Sequence, residues 1–183
     1  MSNSEFELLG VNHLALVCKD MARTVDFYTN VLGMKLIKTI ELPNGMGQHF
    51  FFDMGNGDSL AFFWFPNAPE AAPGVASATP GVLPGPSAHG SMNHIAINVP
   101  AEKIDAYQKM LVAKGVKCSP VISHDDSPQQ AALEITPTTF VRSVYFYDPD
   151  GIALEFAAWT RELGKPSDIA VKPAVAKALE PAQ

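Results

Sequence analysis

The sequence predicts an α+β fold made of two tandem βαβββ modules. Three observations predict it. First, the chain repeats itself: Val11-Asn12-His13-Leu14-Ala15-Leu16 matches Met92-Asn93-His94-Ile95-Ala96-Ile97, with the two histidines 81 residues apart. Second, in each copy a stretch of period-two alternation is followed by apolar residues at helical spacing and then by more alternating stretches. Third, Gly57-Asp58-Ser59-Leu60-Ala61-Phe62 matches Gly151-Ile152-Ala153-Leu154-Glu155-Phe156, so both copies end on the same kind of strand.

The elements follow in order. Val11 to Cys18 alternates as a strand, and Asp20 is placed to cap a helix. Met21, Val25, Tyr28 and Leu32 form that helix's apolar stripe, and Gly33 ends it. Met34 to Ile40, Gln48 to Met54 and Ser59 to Phe65 are strands, separated by Pro43-Asn44-Gly45 and Gly55-Asn56-Gly57-Asp58. Residues 67–90, rich in Pro, Gly and Ala, form a linker or a lid between the first module, residues 8–66, and the second, residues 91–160. In the second module Met92 to Val99 is a strand, and Pro100 opens a helix marked by Ile104, Tyr107 and Leu111 and closed by Gly115. Val116 to Ser123 is the next strand, His124 to Thr138 a polar insertion, and Thr139 to Asp148 with Ile152 to Ala158 the closing hairpin around Asp148-Pro149-Asp150-Gly151. Residues 161–183 are a C-terminal tail without periodicity.

Composition narrows the function. Of 183 residues, 47% are hydrophobic and 17% charged, the balance of a globular chain. The net charge of −6 argues against nucleic acid or an anionic membrane as partner. Two cysteines, Cys18 and Cys118, make no disulfide framework, and no basic-then-apolar leader or bilayer-length apolar run occurs. A cytoplasmic protein with reduced thiols is the expectation.

The candidate chemistry sits on the small-residue faces of the strands. His13 shares its face with Ala15 and Val17, His94 with Ala96 and Asn98, and Glu155 with Ala153 and Ala157. The large aliphatic residues point the other way, toward the helices. A carboxylate among small apolar neighbours needs a partner, because an unpaired buried charge is costly. Two histidines and one carboxylate are the facial set of non-haem Fe(II), with positions left open; the same ligands suit Mn(II), Zn(II), Co(II) or Ni(II). Ala61 stands where the second copy has Glu155.

These residues carry a family resemblance. Val11-Asn12-His13-Leu14-Ala15, Asp26-Phe27-Tyr28, Val31-Leu32-Gly33-Met34, Met92-Asn93-His94-Ile95-Ala96 and the run from Asp148 to Glu155 resemble the vicinal oxygen chelate superfamily. That superfamily includes glyoxalase I, fosfomycin-resistance transferases, bleomycin-resistance proteins and type I extradiol dioxygenases. The resemblance spans residues 8–160. It implies an open, eight-stranded U-shaped barrel around a divalent metal, with ligands at His13, His94 and Glu155. It also implies a homodimer, in some members formed by exchanging modules across the linker. The last stretch is most similar to the extradiol signature, which makes Tyr145 the tyrosine that hydrogen-bonds substrate; the signature's leading histidine has no counterpart from Glu134 to Ser143.

Two other histidines are weighed for that vacant role. Aligned by the repeat, His49 faces the cavity and is the acid/base candidate, a hydrogen-bonded strand histidine being the alternative. His124, in the polar insertion, reads as a solvated loop residue, with a lid over the cavity as the alternative. Phe50, Phe51, Phe52, Phe62, Phe63, Trp64 and Phe65 favour a small apolar or aromatic substrate with vicinal oxygens, beyond their role as core. The expected function is an Fe(II)-dependent oxygenase similar to extradiol ring-cleaving dioxygenases. The alternatives are a glyoxalase-like isomerase, epimerase or lyase working through an enediolate, and a drug-binding resistance protein.

Overall fold

The computed structural model describes residues 7, 9–79 and 85–174. Residue 8 at the start of the first module, residues 80–84 of the linker and residues 175–183 of the tail lie outside the described residues.

Among the described residues, eight strands form two four-stranded sheets with the same topology. The first runs β1 (His13–Cys18), β4 (Asp58–Trp64), β3 (Gly47–Gly55), β2 (Leu36–Leu42). The second runs β5 (Ile95–Asn98), β8 (Ala153–Trp159), β7 (Val141–Tyr147), β6 (Ile122–His124). In each, the first strand pairs parallel with the last and the other pairs are antiparallel. The helix between first and second strands makes that parallel return possible. The duplication read in the sequence is thus a duplication of topology.

Local signals act where expected. The Asp20 carboxylate accepts the Arg23 amide at 3.0 Å and starts α1 (Met21–Asp26), which widens into a π-helical stretch over Phe27–Val31. Gly33 follows it at φ +75°, the left-handed turn that lets the chain leave the helix. In the second module a short 3₁₀ turn leads into α2 (Ile104–Ala113).

Three expectations change at the edges. β5 begins at Ile95, because the Asn93 carbonyl is taken by the linker: the Ala78 amide donates to it at 2.9 Å and the Ser77 hydroxyl at 3.1 Å. The strand expected over Val116 to Ser123 pairs regularly only from Ile122; upstream, Cys118 makes an isolated bridge to Phe146, and Pro120 offers no amide to a ladder. His124, expected in the insertion, is the last residue of β6 and pairs with Val141.

The large aliphatic faces of both sheets and the two helices pack into one core, which includes Tyr28, Phe52, Leu60 and Phe62 with Ile104, Val144, Phe146 and Leu154. Polar contacts join the modules around it. The Tyr28 hydroxyl donates to Asp148 at 3.2 Å, the Lys19 amide to Asp150 at 3.0 Å, and the Lys114 ammonium to the carbonyls of Asn30 and Val31 at 3.0 and 2.6 Å. Lys114 thereby satisfies carbonyls that the end of the first helix leaves open. The modules meet through their helix-bearing sides, and the small-residue faces of the sheets point elsewhere.

Asp148 is the buried carboxyl group at this junction, 6% exposed. Burial pushes its pKa up to about 6, although two backbone amides donate to it. The folded protein therefore binds this proton more tightly than the unfolded chain. The associated stability is fully present below the ordinary carboxylate pKa and is lost as pH rises through about 6, a change of about 3 kcal/mol. Asp148→Asn should flatten that part of the stability profile. Urea unfolding of both proteins from pH 4 to pH 7 checks it: the variant should gain on the native chain as pH rises, and parallel profiles would refute the assignment.

Candidate functional site

The site is built on the central strand of the second sheet. Glu155 sits on β8, opposite Ala96 of β5 on one side and Tyr145 of β7 on the other. It is 5% exposed, so its charge has to be met by the protein. Its Oε2 lies 2.9 Å from Nε2 of His94, and its Oε1 accepts the Ser143 hydroxyl at 2.5 Å. The hydrogen bond to Glu155 raises the His94 pKa against the opposing effect of burial. Within the chain, then, the His94 ring answers the buried carboxylate.

His94 is oriented from behind. Its Nδ1 lies 2.8 Å from the side-chain oxygen of Asn93, which places Nε2 toward Glu155. The first module repeats the device: Nδ1 of His13 lies 2.7 Å from the side-chain oxygen of Asn12. An oxygen acceptor on Nδ1 is what holds an imidazole ready to ligate through Nε2.

Tyr145 stands edge-on to His94, with ring centroids 5.9 Å apart and planes at 89°. Burial and the Glu155 charge push its pKa up to about 12, so it is a neutral phenol. Its hydroxyl lies 3.0 Å from Nε2 of His124. His124 is therefore not the solvated loop residue that the sequence favours. β6 ends beside β7, and the polar insertion turns back over it.

The first sheet carries the other candidates. Ala61 pairs with Ala15 and Phe51, as Glu155 pairs with Ala96 and Tyr145, which makes it the structural counterpart of Glu155 without the carboxylate. His13 is exposed and meets the edge of Phe51 at 5.7 Å. His49 stacks on Phe63 at 3.6 Å and 10°, and Phe63 stacks on Phe65. Burial, and His13 beside it, lower the His49 pKa; its Nε2 is buried without a hydrogen-bond partner. On this face Val17 is 49% exposed and Phe65 37%.

Of the sequence-predicted residues the structure thus brings together His94, Glu155 and Tyr145, and separately His13 and His49. No three His, Cys, Asp or Glu side chains converge among the described residues. The donor set still suits a divalent metal. An imidazole nitrogen and a carboxylate oxygen already point at one spot, each held by a second group, and both are ligands for such ions. Sequence reasoning passed over Asn12, Asn93 and Ser143. The signal for the asparagines was in the repeat itself, one residue before each histidine. Ser143 lies two residues before Tyr145 on the same strand face.

The comparisons with known proteins agree with this architecture. The family described as Glyoxalase/Bleomycin resistance protein/Dioxygenase superfamily matches residues 10–156. The uncharacterized protein YwkD of Bacillus subtilis is 24% identical over 148 residues, 81% of this chain and 95% of that protein. A lactoylglutathione lyase of Pseudomonas aeruginosa is 37% identical over 49 residues, 27% of this chain and 28% of the lyase. The fosfomycin resistance protein FosX of Listeria monocytogenes superposes with a TM-score of 0.53 at 22% identity, over 84% of this chain and 96% of FosX. Another FosX structure is complexed with Mn(II) and sulfate. The likeness to FosX bears on the fold, which is the same pair of modules. The match to the family over most of the chain, on a frame that duplicates topology and histidine position alike, places this chain in the Glyoxalase/Bleomycin resistance protein/Dioxygenase superfamily.

Proposed function

We propose that the protein is a divalent-metal-dependent enzyme acting on a small, flat substrate that presents two adjacent oxygens. The observation that carries this reading is the duplicated Asn–His pair, one copy of which already shares its Nε2 direction with a buried carboxylate. His94 and Glu155 would hold the metal, joined by His13 of the partner subunit in a homodimer. Within one chain the modules pack through their helix-bearing sides, which leaves the His13 face with exposed apolar residues and free to meet a second copy.

A metal bound there would act as Lewis acid and as template for the two oxygens. The chain's own residues do the rest. Ser143 fixes the Glu155 carboxylate by its hydrogen bond. Tyr145, neutral and beside His94, hydrogen-bonds the substrate. The Phe51–His49–Phe63–Phe65 face offers stacking to a flat ring. His49, kept neutral, would take a substrate proton at the imidazole.

Ring-cleaving oxygenase chemistry with Fe(II) is the finer reading, supported by the three-ligand set and the aromatic face. Glyoxalase-like isomerase or lyase chemistry is the second. A segment similar to lactoylglutathione lyase and the neutral imidazole of His49 favour it. Oxygen consumption separates the two. Protein loaded anaerobically with Fe(II) should take up O₂ with substituted catechols, and Zn(II)-loaded protein should not. Turnover of a hydroxy-carbonyl substrate by the Zn(II) form without O₂ would give the site to the isomerase reading.

The shared site has a test that needs no substrate. His13→Ala and Glu155→Gln proteins should each lose tight metal binding. Refolded together in equal amounts, they should regain it at about one site per four chains, since half of the dimers are mixed and each has one intact site. No recovery would show that the partner contributes nothing. Asn93→Ala should weaken metal binding about 10–100-fold with the fold unchanged, measured by titration against a chelating dye.

A further inference from the structure

We propose that His124 sets the hydrogen-bond polarity of the site: it draws the Tyr145 hydroxyl proton away from His94 and Glu155, so that Tyr145 meets a ligand as an acceptor and selects a group that brings its own proton. The inference rests on the metal-site reading above and deepens it to a class of ligand.

The polarity follows from what each atom is able to do. Nδ1 of His124 lies 3.3 Å from the Gln130 carbonyl, which only accepts. In the neutral form of the ring the proton therefore sits on Nδ1 and donates to Gln130. Nε2 is then left as an acceptor, and its neighbour at 3.0 Å is the Tyr145 hydroxyl. The Glu155 carboxylate is a second acceptor for that hydroxyl, but only donation to His124 leaves Nε2 paired, so the single phenol proton is assigned to His124. What Tyr145 presents to the site is oxygen lone pairs. An alcohol or phenol of the substrate satisfies them; a carbonyl or ether in the same place sets two acceptors against each other.

The insertion between β6 and β7 is built to hold this arrangement. Ser123 and Ala132 exchange both backbone hydrogen bonds, at 2.7 and 2.8 Å, which folds the loop back over β6. Asp125, 3% exposed, gathers the Ser127 amide, the Ser127 hydroxyl and the Thr136 hydroxyl at 3.1, 2.6 and 2.8 Å. Gln130 takes a left-handed conformation, φ +57°, with its amide bonded to the Ser127 carbonyl. These bonds place the Gln130 carbonyl against the ring. His124 is thus a positioning residue acting through Tyr145.

Two measurements test it. The first is the ¹⁵N ring spectrum of the native protein, in which His124 should carry its proton on Nδ1 with a hydrogen-bonded, bare Nε2; a proton on Nε2 overturns the proposal. The second compares catechol with 2-methoxyphenol as ligands of the Zn(II)-loaded protein. The ratio of their affinities cancels what the metal itself prefers once variants are compared. His124→Leu should lower the preference for catechol about fivefold, and His124→Gln, which is able to donate to Gln130 and accept from Tyr145, should keep it. Tyr145→Phe should lower it equally and make His124→Leu silent. An unchanged ratio in His124→Leu, or the same drop in the Tyr145→Phe background, overturns the proposal. Binding of neither probe by the metal-loaded native protein would fell the metal-site reading and this proposal with it, whereas binding of both with an unchanged ratio fells the proposal alone.

Discussion

The constraint on which the site depends is the buried charge of Glu155. It sits on a central strand, flanked on both sides by paired neighbours, and is shut off from water. A carboxylate there is tolerable only if each oxygen is answered. Ser143 answers one from the strand that carries Tyr145, and His94 answers the other from the position just before the edge strand β5. Asn93 stands behind His94, and His124 stands behind the neighbouring Tyr145. The polar network is therefore the consequence of one acid placed among small residues. Such a network makes a preformed site, because its members cannot relax without leaving a charge unpaired.

The two copies of the module have divided the labour. Both keep the Asn–His pair at the head of the first strand. Only the second keeps the acid. The first has Ala61 at the same register position, with Phe63 on the same strand and His49 and Phe51 on the neighbouring one. One face is thus polar and enclosed, the other aromatic and open. The proposed metal centre draws on both. The helix-side packing of the two modules, sealed by Tyr28, Asp148 and Lys114, sends these faces apart within a chain. The proposed homodimer would reunite them.

His124 shows how much a short strand and its return loop contribute. The residue has no place in the repeated pattern and lies in the stretch where the two copies differ most. Its role comes from the backbone around it. The bridge between Ser123 and Ala132 and the hydrogen bonds to Asp125 set a carbonyl on one side of the imidazole and a phenol on the other.

The sequence by itself determined the fold class, the duplication and the faces of the strands. A two-residue alternation assigns each side chain to one side of a sheet, and a repeat fixes which positions are equivalent. The faces that His13, His94 and Glu155 occupy were legible for that reason, Tyr145 was picked out by the family resemblance, and the Asp20 cap and the turn at Asp148 by local cap and turn signals. Strand ends were less so: His94 lies just before β5 because the linker competes for the Asn93 carbonyl, and His124 lies inside β6. Only the tertiary structure decided which of the candidates meet. Local patterning states the face a residue occupies but not what that face is packed against. The parallel pairing of β5 with β8 inside the second module joined His94 to Glu155, and the association of the modules through their apolar helix sides, driven by burial rather than by any motif, set His13 and His49 on a separate surface.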